Sequence, residues 1–290
     1  MTGDDWYTER LHADARQQLR IANRLYRGRT AYQDVEIFEN PTHGRVLCLD
    51  GVVQTTEADE AHYHEMLVHP AMFAHRGAER VLVIGGADGG ALRQVLRHPV
   101  KRAVLVDIDA ELIELCRAHL PSISAGAFDD ARAHSMPGDG AAFVAATDER
   151  FDVVIVDSTD PFGPGAVLFQ EPFFRNCRRV LGDGGIVISQ NGVPFYQASE
   201  LSVVHAERKR VFARAGYYVA PVPLYAGGHM AFGWGSDDLD PALVPTDALS
   251  RRIAAVDGGF RVYGAACHAA VFALPRWIED LAAAGGAARA

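Results

Sequence analysis

Hydrophobic positions in the middle of the chain fall in short runs that are separated by helical patterns. The apolar runs are RVLVIGG, RAVLVDID, FDVVIVD and GGIVISQN, and segments such as ALRQVLRH and AELIELCRAHL lie between them. Strands that are apolar on both faces and alternate with helices are typical of a parallel sheet covered on both sides. The pattern predicts an α/β fold with a Rossmann-like, doubly wound sheet over residues 76–290.

The N-terminal quarter has a different pattern. Residues 31–55 alternate apolar and polar types and are interrupted by the turn-forming NPTHG and DG, which predicts antiparallel hairpins. We therefore expect a small β-hairpin domain over residues 1–75. Toward the other end, YYVAPVPLY and MAFGWGS predict a closing antiparallel pair of strands, and helices are predicted near 246–256 and 276–284.

Charge restricts the partners that this chain can have. The 37 acidic and 28 basic residues give a formal net charge of -9, and the sequence contains no block of lysine or arginine. Nucleic acid and anionic membrane surfaces are therefore not expected partners, whereas cationic ligands are favoured. The four cysteines lack metal-binding spacing, and neither a signal peptide nor an apolar run of about 20 residues is present, so a cytoplasmic protein is expected.

A glycine-rich loop follows the first apolar run, in VLVIGGADGGALRQVL. The next run ends at Asp107, about 20 residues further on, where nucleotide-binding α/β folds place an acid on the ribose hydroxyls. The loop also carries Asp88, which is unfavourable beside a phosphate and argues against NAD. A cationic nucleoside such as S-adenosylmethionine or a relative fits better. The alternative is a plain strand-to-helix turn formed by Gly85, Gly86, Gly89 and Gly90.

Asp139 and Gly140 precede the helical pattern AAFVAAT. This is a common position for contacts to an adenine amino group, although a DG pair is also common in simple turns.

Two carboxylates follow the apolar run FDVVIVD. Asp157 ends the run and Asp160 comes three residues later, before Pro161. Beyond the carboxyl end of a central strand they would lie in the ligand crevice of an open α/β sheet, and close together they would raise each other's pKa unless a cation joined them. A diamine would supply that cation, with Asp157 as the proton acceptor and Asp160 as its charge partner. A capped turn is the alternative.

With these residues in view, the sequence resembles the polyamine aminopropyltransferases, and specifically bacterial spermidine synthases. The likeness runs in order over nearly the whole chain, through YQDVEIFENPTHGRVLCLDGVVQTTEADEAHYHEM, IGGADGG, DSTDPFGPGAVLF, SQNG, PLYAGGHMAFGW and HAAVFALP. The resemblance implies transfer of the aminopropyl group of decarboxylated S-adenosylmethionine, a co-substrate, to putrescine. The products would be spermidine and methylthioadenosine, with no cofactor or metal required.

The resemblance also implies roles for particular residues. Asp157 would be the proton acceptor, and Asp160 would bind the diamine. On the donor, Asp88 would meet the aminopropyl amine and Asp107 the ribose. The other implied substrate-site residues are Gln33 at the nucleoside, Asp139 and Gly140 at the adenine, Tyr63, His64, Ser158, Thr159, Pro164, Gln190 and Tyr225 around the pocket, and Gln54, Asp59 and Glu60 at its gate.

Three positions depart from the family pattern. Ala87 stands where a third glycine is usual, Asp107 where a glutamate is usual, and Leu224 where a threonine is usual beside Tyr225. The shorter carboxylate of Asp107 reaches about one methylene less far, so donor affinity or the local backbone is expected to differ. Leu224 leaves open whether cadaverine, agmatine or spermidine also serves as the acceptor.

Two other functions fit parts of the pattern. A methyltransferase would share the glycine loop and the ribose acid, and a polyamine-binding homologue without catalysis would share the acidic cleft. His62, His64 and His69 do not define one face, so a metal site is not expected. The exposed edges of the N-terminal hairpins and the family resemblance together predict a homodimer or homotetramer.

Overall fold

The N-terminal part of the molecule is built from antiparallel strands. The computed structural model describes residues 5–161 and 163–284. Strands β1 (Asp5–Thr8) and β2 (Gln18–Ile21) form a hairpin, and β3 (Asn23–Arg29), β4 (Asp34–Asn40), β5 (Gly44–Leu49) and β6 (Val52–Thr56) form a four-stranded meander. The hairpins predicted over 31–55 are therefore confirmed. Their turns use positive φ angles at Gly44, Asp50 and Gly51, as tight hairpin turns require.

The rest of the chain alternates strands and helices around a seven-stranded sheet. The strands are β7 (Arg80–Gly85), β8 (Arg102–Asp107), β9 (Ala133–Pro137), β10 (Phe151–Asp157), β11 (Leu181–Gln190), β12 (Arg214–Ala220) and β13 (Met230–Ser236). Their spatial order is β12-β13-β11-β10-β7-β8-β9. The five strands from β7 to β11 are parallel, and β13 pairs antiparallel with both of its neighbours, β11 and β12. The predicted α/β class and the closing antiparallel pair are confirmed.

Helices cover both faces of this sheet. They are α1 (Glu60–Ala74), α2 (Gly90–Leu96), α3 (Ala110–His119), α4 (Pro121–Ser124), α5 (Gly140–Ala146), α6 (Glu171–Val180), α7 (Ala198–Val211), α8 (Thr246–Ala254), α9 (Ala265–Val271) and α10 (Arg276–Ala284). Alternate residues of each central strand face opposite layers. Val81 and Val83 pack with α1 and α2, whereas Leu82 and Ile84 pack with Phe173 and Phe174 of α6. Two separate cores result, as a doubly wound sheet requires.

Helix α1 joins the two parts of the molecule. It is buried along almost its whole length, and it packs on β10, β11 and α2. The hydroxyl of Tyr218 in β12 donates to the main-chain oxygen of Met66 in this helix. The division of the chain at residue 75 stays a prediction, and α1 belongs by its contacts to the large sheet.

Several elements were not predicted from the sequence, among them β9 and α9. Strand β9 has no apolar run because it lies at the edge of the sheet and most of its side chains are exposed. Helix α9 is short and lies between the two predicted C-terminal helices. No disulfide links the cysteines, of which Cys48, Cys116 and Cys177 are buried. Within the described residues, no helix combines the length and apolar character needed to cross a bilayer.

Candidate active site

A cavity of about 640 Å³ opens at the carboxyl ends of the parallel strands. This is where open α/β sheets bind their ligands, because the chain crosses from one face of the sheet to the other there. Almost all of the predicted substrate-site residues line it: Gln33, Gln54, Tyr63, His64, Asp88, Asp107, Asp139, Gly140, Asp157, Ser158, Thr159, Asp160, Gln190 and Tyr225. The side chain of Pro164 lies outside the described part of the chain.

The glycine loop brings β7 and β10 together at the floor of this cavity. Gly85 has a φ of +80°, and a Cβ atom there would lie 2.1 Å from the main-chain oxygen of Asp157. The backbone of the loop can approach the strand end only because the side chain is absent. Ala87 is tolerated because its φ is not in the left-handed region, and its methyl group is buried in the core.

Asp157 is the last residue of β10 and faces the cavity. The hydroxyl of Tyr63 donates to its Oδ1 at 2.8 Å, whereas its buried Oδ2 has no hydrogen-bond partner among the described residues. Burial, reinforced by the charges of Asp88 and Asp107 and opposed by His64, raises the pKa of Asp157 to about 6. A carboxylate with one free oxygen and a raised pKa is suited to accept a proton.

The carboxylates that act on Asp157 are not those expected from the sequence. We expected Asp157 and Asp160 to raise each other's pKa, but the charges acting most strongly on Asp157 come from His64 and from Asp88 and Asp107. Burial is the main cause that raises the pKa of Asp160, which the charge of His12 lowers. The two aspartates therefore have different main electrostatic neighbours, although both line the cavity and the charges of both act on Tyr225.

His64 lies between two carboxylates. Its Nδ1 is 2.9 Å from Oε2 of Glu60, and its Nε2 is 3.4 Å from Oδ2 of Asp88. Arg93 of α2 donates to both carboxylate oxygens of Glu60, at 2.8 and 2.7 Å. Burial opposes ionisation of the imidazole, but the charges and hydrogen bonds of Asp88 and Glu60 outweigh it and raise the pKa of His64 to about 10. Atoms of His64, Asp88 and Asp157 lie within 4.8 Å of one another.

A second acidic region lies at the other end of the cavity, around Asp160. Glu9 and His12 of the loop between β1 and β2 line the wall here, and the His12 ring stacks on Tyr196 at 4.1 Å. Gln197 donates to Glu200 at 3.0 Å. Burial, together with the charge of Asp160, raises the pKa of Glu9, and the same two causes raise the pKa of Glu200 to about 7.

Sequence reasoning missed Glu9, His12 and Glu200. The three residues are far from Asp160 in the chain, and nothing in the local pattern marks them as site residues. Gln190 connects this region to β11, because its Nε2 donates to the main-chain oxygens of Ser158 and Thr159 at 3.2 Å each.

The predicted nucleoside residues meet at the ends of β8 and β9. Asp107 Oδ1 accepts from the backbone N–H of Asp109 at 2.8 Å, and burial raises the pKa of Asp107 to about 6. Gln33 donates to Asp109 Oδ2 at 2.9 Å and thereby anchors the N-terminal meander to this edge. Asp139 caps α5 by accepting from the N–H groups of residues 141 and 142. Both bonds use Oδ1, and the adenine contact that the resemblance implies stays a prediction.

Asp59 and Glu60 lie outside the main cavity, unlike Gln54. Asp59 accepts from the Thr56 hydroxyl at 2.5 Å and from the Leu224 N–H at 2.8 Å, so it holds the segment that carries Tyr225. Glu60 lines a second cavity between α1, α2 and residues 258–261. Both side chains are thus behind the wall of the site rather than at its mouth.

The histidines of α1 do not form one cluster. His69 is buried. Its Nδ1 lies 2.9 Å from Nε2 of His98, and its Nε2 lies 3.2 Å from Oε1 of Gln94, so neither ring nitrogen bonds to Asp157. Burial keeps the pKa of His69 and of His98 below the usual value, so this pair is neutral. The expectation that the protein binds no metal stays a prediction.

The acids of the cavity have few cationic partners within the protein. Within residues 5–161 and 163–284, no arginine or lysine forms an ion pair with Asp107, Asp157 or Asp160, and the ion pair of Asp88 is with His64. The cavity therefore presents carboxylates at both ends with little protein cation to neutralise them. Amines are the ligands that such a surface favours.

Comparisons with known proteins agree with this geometry. The model of the spermidine synthase tetramerisation domain matches residues 5–57, and that of the spermine/spermidine synthase domain matches residues 60–245. A polyamine aminopropyltransferase of Ruegeria sp. (strain TM1040) is 46% identical over 97% of this chain and 99% of its own length. Polyamine aminopropyltransferase 1 of Pseudomonas aeruginosa is 48% identical over 94% of this chain and 96% of its own.

Solved structures give the same result. A spermidine synthase in complex with the transition state analogue AdoDATO superposes with a TM-score of 0.92 at 35% identity, covering 97% of this chain and 95% of that one. Spermidine synthase from Thermotoga maritima superposes with a TM-score of 0.89 at 33% identity, covering 96% and 94%.

An α/β transferase is the class that this fold and these relatives define. More narrowly, the chain belongs to the spermine/spermidine synthase family and is a polyamine aminopropyltransferase.

Proposed function

We propose that this enzyme transfers the aminopropyl group of decarboxylated S-adenosylmethionine to putrescine, giving spermidine and methylthioadenosine. The observation that carries the proposal is the distribution of acids in one cavity. Asp88, Asp107 and Asp157 lie on the side of the glycine loop, and Asp160 and Glu9 lie on the other. A cationic donor on one side and a diamine reaching the other would each meet carboxylates.

Asp157 supplies the base that the reaction needs. The acceptor amine, with a Lys-like pKa of about 10.4, must lose a proton before its lone pair can attack, and transfer to a carboxylate of pKa about 6 costs about 6 kcal/mol. Transfer to an ordinary aspartate of pKa 3.8 would cost about 3 kcal/mol more. Burial of Asp157 thus makes proton removal easier.

The bonds then rearrange without further chemistry from the protein. The amine nitrogen attacks the aminopropyl carbon bonded to sulfur, the carbon–sulfur bond breaks, and its electron pair neutralises the sulfonium. Alignment of nitrogen, carbon and sulfur in the cavity lowers the barrier. Asp88 accepts from the Gly90 N–H at 2.8 Å and forms an ion pair with His64, and in this proposal it would bind the donor ammonium.

The nucleoside of the donor would lie over the ends of β8 and β9. Asp107 would bind the ribose, and Gln33, Asp139 and Gly140, which line the same cavity, would contact the rest of the nucleoside. An additional Cβ at Gly140 would lie 2.2 Å from Ile84 Cγ2, so this backbone packs against β7 and leaves the space above it open. Relatives usually have glutamate at the position of Asp107, and we expect this difference to affect donor affinity more directly than the other two departures from the family pattern.

A product assay with several acceptors tests the proposal. The enzyme is mixed with decarboxylated S-adenosylmethionine and, separately, putrescine, cadaverine, agmatine or spermidine, and the aminopropylated product and methylthioadenosine are quantified. We expect the highest kcat/KM with putrescine. A higher kcat/KM with another amine would show that this amine, rather than putrescine, is the preferred acceptor, and the proposed reaction type would be unchanged.

The same reagents distinguish the proposed reaction from two alternative functions. A methyltransferase would bind S-adenosylmethionine, whose carboxylate would meet the acids of this cavity, so we expect decarboxylated donor to bind more tightly. A polyamine-binding protein without catalysis would bind putrescine and form no methylthioadenosine. Production of methylthioadenosine that depends on the acceptor would exclude both.

We further propose that the enzyme acts as a homodimer or homotetramer in the cytoplasm. The match of residues 5–57 to a tetramerisation domain supports the oligomer, and this part of the chain carries the exposed Trp6 in β1. Sedimentation equilibrium measures the oligomeric state directly.

A further inference from the structure

His64 has a carboxylate beside each ring nitrogen, hydrogen-bonded at Nδ1 and in ion-pair contact at 3.4 Å at Nε2. Glu60 lies at Nδ1, Asp88 lies at Nε2, and the ring is 1% exposed. A neutral imidazole carries a single N–H, so one of its nitrogens would direct a lone pair at a carboxylate oxygen. The cavity is therefore arranged around an imidazolium, a cation that the protein itself supplies.

The two sides of the ring have different surroundings. Glu60 faces the second cavity and is fixed by two hydrogen bonds from Arg93. Burial would raise the pKa of Glu60, but the hydrogen bonds and charges of His64 and Arg93 outweigh burial and lower this pKa to about 2. Asp88 faces the main cavity and is one of the acids that a substrate ammonium would reach. The Nε2 proton thus occupies the side on which a ligand cation would arrive.

Resting on the proposed function, we infer that His64 exchanges its Nε2 proton for the substrate cation: the site binds the donor ammonium with release of one proton to solvent. The N–H electron pair stays on Nε2, the ligand keeps its charge, and Nδ1–H remains bonded to Glu60. Glu60 and Arg93 are positioning residues in this scheme, because they fix which nitrogen keeps its hydrogen. Neutral Nε2 can then accept a hydrogen bond from the bound amine.

The electrostatics around the ring agree with such an exchange. The pKa of His64, raised to about 10, depends on carboxylates whose charge a bound ammonium would neutralise. Two cations beside the same acids repel, so the more mobile one, the proton, is lost. The titratable and charged groups next to the ring are Glu60 and Tyr63 of α1, Asp88 of the glycine loop and Asp157 of β10, with Arg93 of α2 bound to the far side of Glu60.

Isothermal calorimetry of the oligomer as isolated tests the exchange. Decarboxylated S-adenosylmethionine is titrated into the enzyme between pH 7.5 and 8.5 in buffers of different ionisation enthalpy, which gives the number of protons released. At these pH values Asp107 and Asp157, with pKa about 6, are ionised; Glu200, with pKa about 7, is still partly protonated at pH 7.5 but does not line the main cavity, so the count at pH 8.5 is the decisive one. We expect release of close to one proton and an affinity that tightens about tenfold per pH unit.

Methylthioadenosine is the matched control ligand, because it has the nucleoside and the sulfur but no ammonium or sulfonium. We expect it to bind with no proton release and with an affinity independent of pH. Tight donor binding without proton release, or equal release with methylthioadenosine, would overturn the inference and leave the proposed reaction intact. Failure of the donor to bind at all would instead contradict the proposed function.

A variant identifies the group that loses the proton. Glu60→Gln keeps an oxygen for the Nδ1–H but removes the charge, so the pKa of His64 falls, and we expect fewer protons released at pH 8.5 than in the wild type. Glu57→Gln is the control, since Glu57 lines the same second cavity but bonds to the Arg45 N–H and Ser122. An unchanged proton count in Glu60→Gln would assign the release to another group and overturn the role of His64.

Discussion

At the scale of single residues, the site depends on which neighbours each carboxylate has. Asp157 shares its surroundings with His64, Asp88 and Tyr63, and these are placed by α1 and the glycine loop. Its position at the end of β10 could be predicted, because an apolar run that stops at an acid predicts a strand end. Its partners could not, since they are 69 to 94 residues away in the chain and the sequence carries no sign of the contact.

Replacement of Asp157 by asparagine should separate catalysis from binding. The amide has nearly the same shape but cannot accept the acceptor's proton, so we expect kcat to fall about 10²- to 10⁴-fold. Donor affinity should change little, which calorimetry with the decarboxylated donor measures. Loss of donor binding with unchanged turnover per bound donor would contradict the role of Asp157.

The raised pKa of Asp157 also predicts a pH dependence. The base must be ionised to act, so kcat/KM for the acceptor at saturating donor should fall as the pH falls through about 6, or somewhat lower because the donor is cationic. Asp107 has a similar pKa, and Asp107→Asn therefore serves as the control. If that variant lost the acidic limb, the titration would belong to Asp107.

At the scale of elements, only helices and strands with a regular pattern of hydrophobic residues could be predicted. The parallel strands β7, β8, β10 and β11 are buried on both faces, and their apolar runs mark them clearly. Strand β9 is exposed at the sheet edge and α9 is a short helix, so neither leaves a strong period. The segment around Tyr225 is irregular, and only the structure shows that Asp59 holds it.

Asp59 offers a test of how that segment is supported. In Asp59→Ala the buried Leu224 N–H and Thr56 hydroxyl lose their acceptor, which should cost about 2 to 4 kcal/mol of unfolding free energy. We also expect a higher KM for the acceptor, because Tyr225 lines the cavity. Asp240→Ala, which removes an exposed N-terminal contact to the Ala242 N–H, should cost less than about 1 kcal/mol. Equal losses in the two variants would refute the role of Asp59.

At the scale of the whole molecule, acidity is concentrated where the substrates are expected. The formal net charge of -9 indicated a cationic ligand but gave no location for it. The fold supplies the location by bringing the loop between β1 and β2 against the ends of the large sheet, so that Glu9 approaches Asp160. Contacts between such distant segments depend on packing and were not predictable from local pattern.

Glu9 should therefore distinguish diamines from monoamines. In Glu9→Gln we expect KM for putrescine to rise about 5- to 10-fold with a small change in kcat, since the second ammonium loses one of its carboxylates. Inhibition by butylamine, which lacks the second ammonium, should be nearly unaffected. Steady-state kinetics with both compounds measure the difference, and equal effects on the two would show that Glu9 acts on the fold rather than on the diamine.

The unpaired carboxylates at the two ends of the cavity have a practical consequence for work with this enzyme. Tris and other primary-amine buffers are small ammonium ions at neutral pH, and at tens of millimolar we expect them to compete with the proposed amine substrate for these oxygens. Apparent Michaelis constants determined in such solutions would be inflated, and electron density near Asp157 or Asp160 in crystals grown from them would be open to misassignment as substrate. Purification and kinetics in phosphate would avoid both errors.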